Sequence, residues 1–253
     1  MIVERIASPN WNDRKTGIDM LMLHYTGMET GEAALDRLRD PDAAVSAHYM
    51  VWDDGRITQL VDEDKRAWHA GVGTWQGDHD LNSHSIGIEI VNGGHNVPLA
   101  DGTLPPYPDV QTTALMTLAV DIVERHAIPQ SRIVGHSDVA PGRKIDPGEH
   151  FPWAMLADKG LGIWPDRPTG GEMMGAGLGV RDSGASVERL QAALQRIGYG
   201  VEITAFFDAQ TSLAVEAFQR RWQPERVTGE AGWLTIALID AVATQAGNKK
   251  APD

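Results

Sequence analysis

Between Ala157 and Val180 the chain reads ADKGLGIWPDRPTGGEMMGAGLGV, with seven glycines, two prolines and no sustained hydrophobic period. Glycine loses the most backbone freedom on ordering, and proline lacks the N–H that a helix or a ladder needs, so this stretch breaks regular structure. The patterns on its two sides differ. Before it, short β-like runs alternate with helical spacing; after it, only helical spacing recurs. A length of 253 residues allows one substantial core and a smaller second one. The chain therefore reads as an α/β domain over residues 1–156, a linker over 157–178 and a small all-α domain over 179–245.

Within the first part, GIDMLMLHYTG (17–27) is a short apolar run that suits a buried strand, with His24 at its carboxyl end. GEAALDRLRD (31–40) reads as a helix stopped by Pro41. AHYMVWDDGRITQLVDE (47–63) holds two β-like runs around Asp-Asp-Gly, a hairpin signal. In SIGIEIVN (85–92) the alternation puts Ile86, Ile88 and Ile90 on one face and Glu89 on the other. Leu115, Leu118, Ala119, Ile122 and Val123 mark an amphipathic helix, and RIVGH after Pro129 is a strand ending in His136. Strands and helices in this order imply one central sheet. Two histidines fall where strands meet loops, and sites in α/β folds gather at such ends. In the last part, Val187, Leu190, Leu194 and Ile197, then Val215, Phe218 and Trp222, then Leu234, Leu238 and Ala241 predict three short amphipathic helices.

Composition removes several functions. The net charge of −13 falls almost entirely before residue 181, and such an acidic surface argues against nucleic acid, whose phosphates need clustered Lys and Arg. Without cysteine, disulfide and thiolate chemistry are excluded, and any metal must be held by His and carboxylates. No apolar run reaches the ~18 residues of a membrane span. The N-terminus shows no apolar signal core, which points to the cytoplasm, or to the periplasm or envelope if a leader has been removed.

One loop is dense in ionisable groups. GHSDVAPGRKIDPGEHFPW (135–153) is neither helical nor strand-like, yet it carries His136, Asp138, Lys144, Asp146, Glu149 and His150. His24, His136 and Asp146 would match a catalytic zinc site, in which three protein ligands leave a fourth position open. Spacing alone leaves a solvated turn as the simpler reading of the loop.

The ordered set LHYTG, SAHYMVWDDGRITQLVDE, AWHAGVGTW, SIGIEIVN and GHSDVAPGRKIDPG resembles the type 2, zinc-dependent N-acetylmuramoyl-L-alanine amidases, the AmpD- and AmiD-like enzymes. The likeness covers about residues 15–156. It implies a mixed sheet flanked by helices, and hydrolysis of the amide between N-acetylmuramic acid, possibly in its 1,6-anhydro form, and L-alanine. It further implies one zinc ion per chain on His24, His136 and Asp146, with Glu89 activating water and Lys144 stabilising the oxyanion. Phage relatives that use a Tyr before the His of the AHY strand differ here, where Ala47 stands, so the burden falls on Glu89. His69 in WHAG and Asn92 match positions near the substrate. VERLQAALQRIGYGVEITAFFDAQTSLAVEAFQRRW is similar to three-helix peptidoglycan-binding domains, although TAFFDAQT replaces their usual glycine turn. The partners implied are peptidoglycan or muropeptides, with no nucleic acid and no membrane insertion. A relative that only recognises muropeptide is the alternative, and a stem-peptide zinc peptidase lacks its His-Glu-x-x-His helix here.

Overall fold

The computed structural model describes residues 3–169 and 177–247, so part of the glycine-rich stretch lies outside the described residues. Among the described residues there are eight strands: β1 (Val3–Arg5), β2 (Trp11–Asp13), β3 (Met20–Tyr25), β4 (Tyr49–Val51), β5 (Ile57–Gln59), β6 (Lys65–Ala67), β7 (Ser85–Ile90) and β8 (Ile133–Gly135). Six of them form one mixed sheet in the order β1-β5-β4-β7-β3-β8, and β2 pairs with β6 apart from it. The helices are α1 (Gly31–Arg39), α2 (Leu81–His84), α3 (Asp109–His126), α4 (His136–Val139), α5 (Trp153–Ala157), α6 (Ala185–Ile197), α7 (Ala209–Trp222) and α8 (Trp233–Gly247). The last three are the helices predicted for the C-terminal part. No helix among the described residues is long and apolar enough to cross a membrane.

The hairpin expected around Asp-Asp-Gly is the antiparallel pair β4 and β5. The centre of the sheet is parallel, with β3 between β7 and β8. Parallel strands need both faces covered, and β3 accordingly reads Met-Leu-Met-Leu with every residue buried. Its two faces meet different partners. Leu21 and Leu23 join Ile86, Ile88, Leu115, Leu118 and Ile122, which places α3 over one face. Met20 and Met22 belong to a cluster with Trp75, Val134, Ile197, Tyr199 and Phe218, which places the C-terminal helices over the other.

The helical part therefore shares its core with the sheet rather than closing a second one. Trp75 sits at the junction, its ring edge-on to Tyr199 at 5.2 Å, while its Nε1–H donates to the Ser131 carbonyl at 2.9 Å. Gly198 ends α6 with φ +143, and a Cβ there would meet Trp75 at 2.5 Å, so glycine satisfies both the backbone and the close approach. In α8 the inward residues are Thr235, Leu238, Ile239, Val242 and Ala243, a wider stripe than the expected Leu234, Leu238 and Ala241. The helix is apolar nearly all round, and that blurs the period that would have identified its inner face.

Candidate active site

Pairing in the sheet brings the chemistry together. The β3–β7 register sets His24 opposite Glu89, and the β3–β8 register sets Leu23 opposite Gly135, one residue before His136. All three parallel strands end at this edge, as sites in α/β folds do. The loop between α4 and α5 then returns, because the Asp146 carbonyl accepts the Ser137 N–H at 2.9 Å. The segment expected to lack regular structure thus contains one turn of helix, α4, starting at His136.

His24 Nδ1, His136 Nδ1 and Asp146 Oδ2 form a triangle with edges of 2.9, 3.0 and 3.0 Å. All three residues are buried. Among the described residues, no other group of three His, Cys, Asp or Glu draws its ligand atoms so close. The hydrogen bonds around the triangle assign the tautomers. His136 Nε2–H donates to the Ala70 carbonyl at 2.8 Å, leaving the Nδ1 lone pair inward. On the other side the Leu81 carbonyl can only accept, so the Ser85 hydroxyl donates to it at 2.6 Å and its Oγ accepts His69 Nε2–H at 3.3 Å. His69 Nδ1 is then the acceptor for His24 Nε2–H at 3.0 Å, and His24 Nδ1 also carries a lone pair inward.

Three electron-pair donors within 3.0 Å repel unless a cation lies among them. A proton bridges one edge, whereas a metal ion faces all three corners, so the donor set fits a metal. The protonation states agree. Burial and the neighbouring His136 lower the His24 pKa to about 4, keeping that ring neutral. Burial opposes ionisation of Asp146, but His136 and His24 outweigh it and hold the carboxyl well below its usual range. Burial and His24 likewise keep His69 neutral.

The triangle lines a cavity of about 430 Å³. Glu89 lines it with a buried Oε2 that has no hydrogen-bond partner among the described residues. Burial, then the Asp146 charge, raises the Glu89 pKa well above the usual carboxylate range. Lys144 and His69 also line the cavity. Asn92 does not. Its Nδ2 donates to the carbonyls of Pro105 (2.9 Å) and Pro106 (3.3 Å), and its Oδ1 accepts the Gly94 N–H at 2.8 Å, so the amide is spent on ordering its own loop. Sequence reasoning missed Arg37, Trp68 and Arg143 on the cavity walls. Arg143 ties the loop down by donating to the carbonyls of Ala70 and Val72; its place beside Lys144 was the available signal.

Residues 13–149 match the N-acetylmuramoyl-L-alanine amidase family, and residues 183–239 match the peptidoglycan binding domain family. The chain belongs to the N-acetylmuramoyl-L-alanine amidases. It is similar to the amidase AmiD of Escherichia coli K12, at 36% identity over 239 residues that cover 91% of this chain and 84% of AmiD. The solved complex of E. coli AmiD with anhydro-N-acetylmuramic acid-L-Ala-D-γ-Glu-L-Lys superposes with a TM-score of 0.77 at 35% identity, covering 94% of this amidase and 91% of that chain. The 1,6-anhydro-N-acetylmuramyl-L-alanine amidase AmpD of Haemophilus influenzae is 34% identical over 169 residues, covering 59% of this amidase and 87% of AmpD.

Proposed function

We propose that this amidase works with one zinc ion held by His24 Nδ1, His136 Nδ1 and Asp146 Oδ2, with Glu89 as general base and acid and Lys144 as the oxyanion's counter-charge. When bound, zinc polarises a carbonyl as a Lewis acid and lowers the pKa of water from roughly 16 to about 7. The residues of the chain supply the remaining steps. Glu89 takes a proton from the attacking water and returns it to the departing amine of L-alanine. The carbon–nitrogen bond breaks, and with both protons of the water ending on the departing nitrogen, a lactyl carboxylate is left on the sugar and an ammonium group on the stem peptide. The upward shift of the Glu89 pKa by burial suits a group that must return the proton it takes. The Lys144 ammonium has no ion pair among the described residues and is free to face the developing negative charge. His69 fits a positioning role, because both of its ring nitrogens are committed, one to His24 and one to Ser85.

For substrate we propose muropeptides carrying the 1,6-anhydro sugar, by likeness to the ligand in the AmiD complex. A cavity of about 430 Å³ with Arg37, Arg143 and Lys144 on its walls suits a stem peptide bearing free carboxylates. In this reading residues 1–156 carry the chemistry, 157–178 connect, and 179–245 meet the polymer.

The observation that carries the proposal is the convergence of three lone pairs on one point beside the half-buried Glu89, whose buried Oε2 has no partner among the described residues. Mass spectrometry of a muropeptide digest tests it, with protein as purified, stripped by chelator and resupplied with zinc. Stem peptide beginning with L-alanine should appear, vanish on stripping and return with zinc. Turnover that survives complete metal removal refutes the zinc assignment.

A further inference from the structure

Two consecutive arginines of α7 reach the two ends of the loop that carries His136 and Asp146. Asp138, two residues after His136, is only 1% exposed. Its Oδ2 accepts the Gly135 N–H at 2.8 Å, fixing the junction of β8 and α4 just ahead of His136. The same oxygen accepts Arg221 Nη1–H at 2.8 Å, and its Oδ1 accepts the Tyr199 hydroxyl at 3.2 Å. Two of these three donors to the carboxylate therefore come from the C-terminal part, Arg221 from α7 and Tyr199 from the segment just after α6. At the other end Glu149, three residues after Asp146, accepts Arg220 Nε–H at 3.3 Å. Its second oxygen meets His95 Nε2 at 3.1 Å, and His95 Nδ1 meets the hydroxyl of Tyr25, the neighbour of His24, at 3.2 Å.

Arg221 serves little within its own helical part. Its guanidinium lies over Trp153 at 3.9 Å and Trp222 at 4.4 Å, and Nη1 also donates to the Ile133 carbonyl at 3.1 Å; Nε has no partner among the described residues. Apart from Trp222, these contacts are to the α/β part. A buried guanidinium needs a buried carboxylate, and the carboxylate it meets holds a metal-site helix.

We propose that Arg220 and Arg221 are positioning residues for the metal loop, so that the C-terminal helices complete the active site as well as any contact they make with polymer. Without Arg221, Asp138 keeps a buried charge with no counter-charge, and relieving it means moving the turn that aims His136 Nδ1. The ion pairs thus transmit to metal affinity through the backbone at Gly135 and through the Glu149–His95–Tyr25 chain. Loss of an outer partner of a metal ligand typically weakens metal binding 10–100-fold.

The inference rests on the zinc reading above, and its test separates the two. Zinc affinity of the full chain is measured by competition with a chromophoric chelator, beside thermal unfolding of the metal-free protein. The variants are Arg221→Met, Asp138→Asn, their double, Arg220→Gln, and Leu238→Ala, which weakens the helical core away from the loop. Arg221→Met should raise the zinc dissociation constant about 10-fold or more. Adding it to Asp138→Asn should change affinity less than about threefold, because both act through one pair. Leu238→Ala should lower the unfolding temperature and leave zinc affinity as it was. Should Arg221→Met not fold, Arg220→Gln carries the test, with a smaller loss of affinity in the same direction. Wild-type affinity in the arginine variants, or a loss no larger than that of Leu238→Ala, overturns the inference alone. A wild-type chain that holds no zinc overturns the reading on which it rests, and the inference with it.

Discussion

Gly87 lies in the middle of β7, where glycine normally weakens a strand, and replacing it by alanine would ordinarily stabilise the fold by about 0.4–1 kcal/mol through the unfolded chain. The structure reverses that sign. A Cβ on Gly87 would lie 2.5 Å from His69 Cγ and 2.6 Å from His69 Cδ2 and Nδ1. Carbon atoms rest about 3.5 Å apart, so the imidazole must retreat by roughly 1 Å. The His24 Nε2 to His69 Nδ1 contact is now 3.0 Å, and a shift of that size breaks it. His24 then loses the acceptor that keeps its Nδ1 unprotonated. Overpacking costs about 1–3 kcal/mol and the lost hydrogen bond about 1 kcal/mol, so Gly87→Ala should destabilise by ~2 kcal/mol or more. For a protein of this size that is a drop of about 4–8 °C in Tm. Zinc affinity should fall about 10-fold or more, because a histidine ligand has lost its outer partner. Calorimetry of the metal-free chain and chelator competition read the two effects separately. A Gly87→Ala protein that melts at or above the wild-type temperature and binds zinc equally well refutes the packing argument.

Three further outcomes follow from the same geometry. Glu89→Gln should keep its metal and its Tm while kcat falls about 10²–10⁴-fold, as expected for loss of a general base; full turnover would remove Glu89 from the mechanism. Glu63 is held at about 2: burial pushes its pKa up, but hydrogen bonds from Arg125, His126 and Tyr49 outweigh it. A folded pKa below the unfolded one stabilises above about pH 4.5 and is lost as pH falls toward 2, so Glu63→Gln should cost about 2 kcal/mol at pH 7 and progressively less at pH 3. An equal cost at both pH values, read by urea unfolding, contradicts that linkage. Trp75→Ala should destabilise the chain by about 3–5 kcal/mol through the cavity left between sheet and C-terminal helices. Two separate unfolding transitions in the wild type would argue against their shared core.

The residues themselves carried a good part of this. His24 and His136 end short apolar runs that read as strands, and the alternation of Ile86, Ile88 and Ile90 sends Glu89 to the opposite face, because side chains alternate on any extended backbone. The family likeness then singled out Asp146 and Lys144 in a loop whose spacing alone suggested no more than a solvated turn. Other features depend on contacts between residues far apart in the chain. That β3 is buried on both faces is written in Met-Leu-Met-Leu, but nothing in those letters says that α6, α7 and α8 cover the second face. Arg221 reads as one more charge on a helix until Asp138 is beside it, and Asn92 reads as a polar loop residue until Pro105, Pro106 and Gly94 consume its amide. Local sequence sets which face of an element is apolar and where a strand stops. Which distant group fills that face, and which lone pairs converge at the strand's end, is decided only when strand register and helix docking bring the parts together.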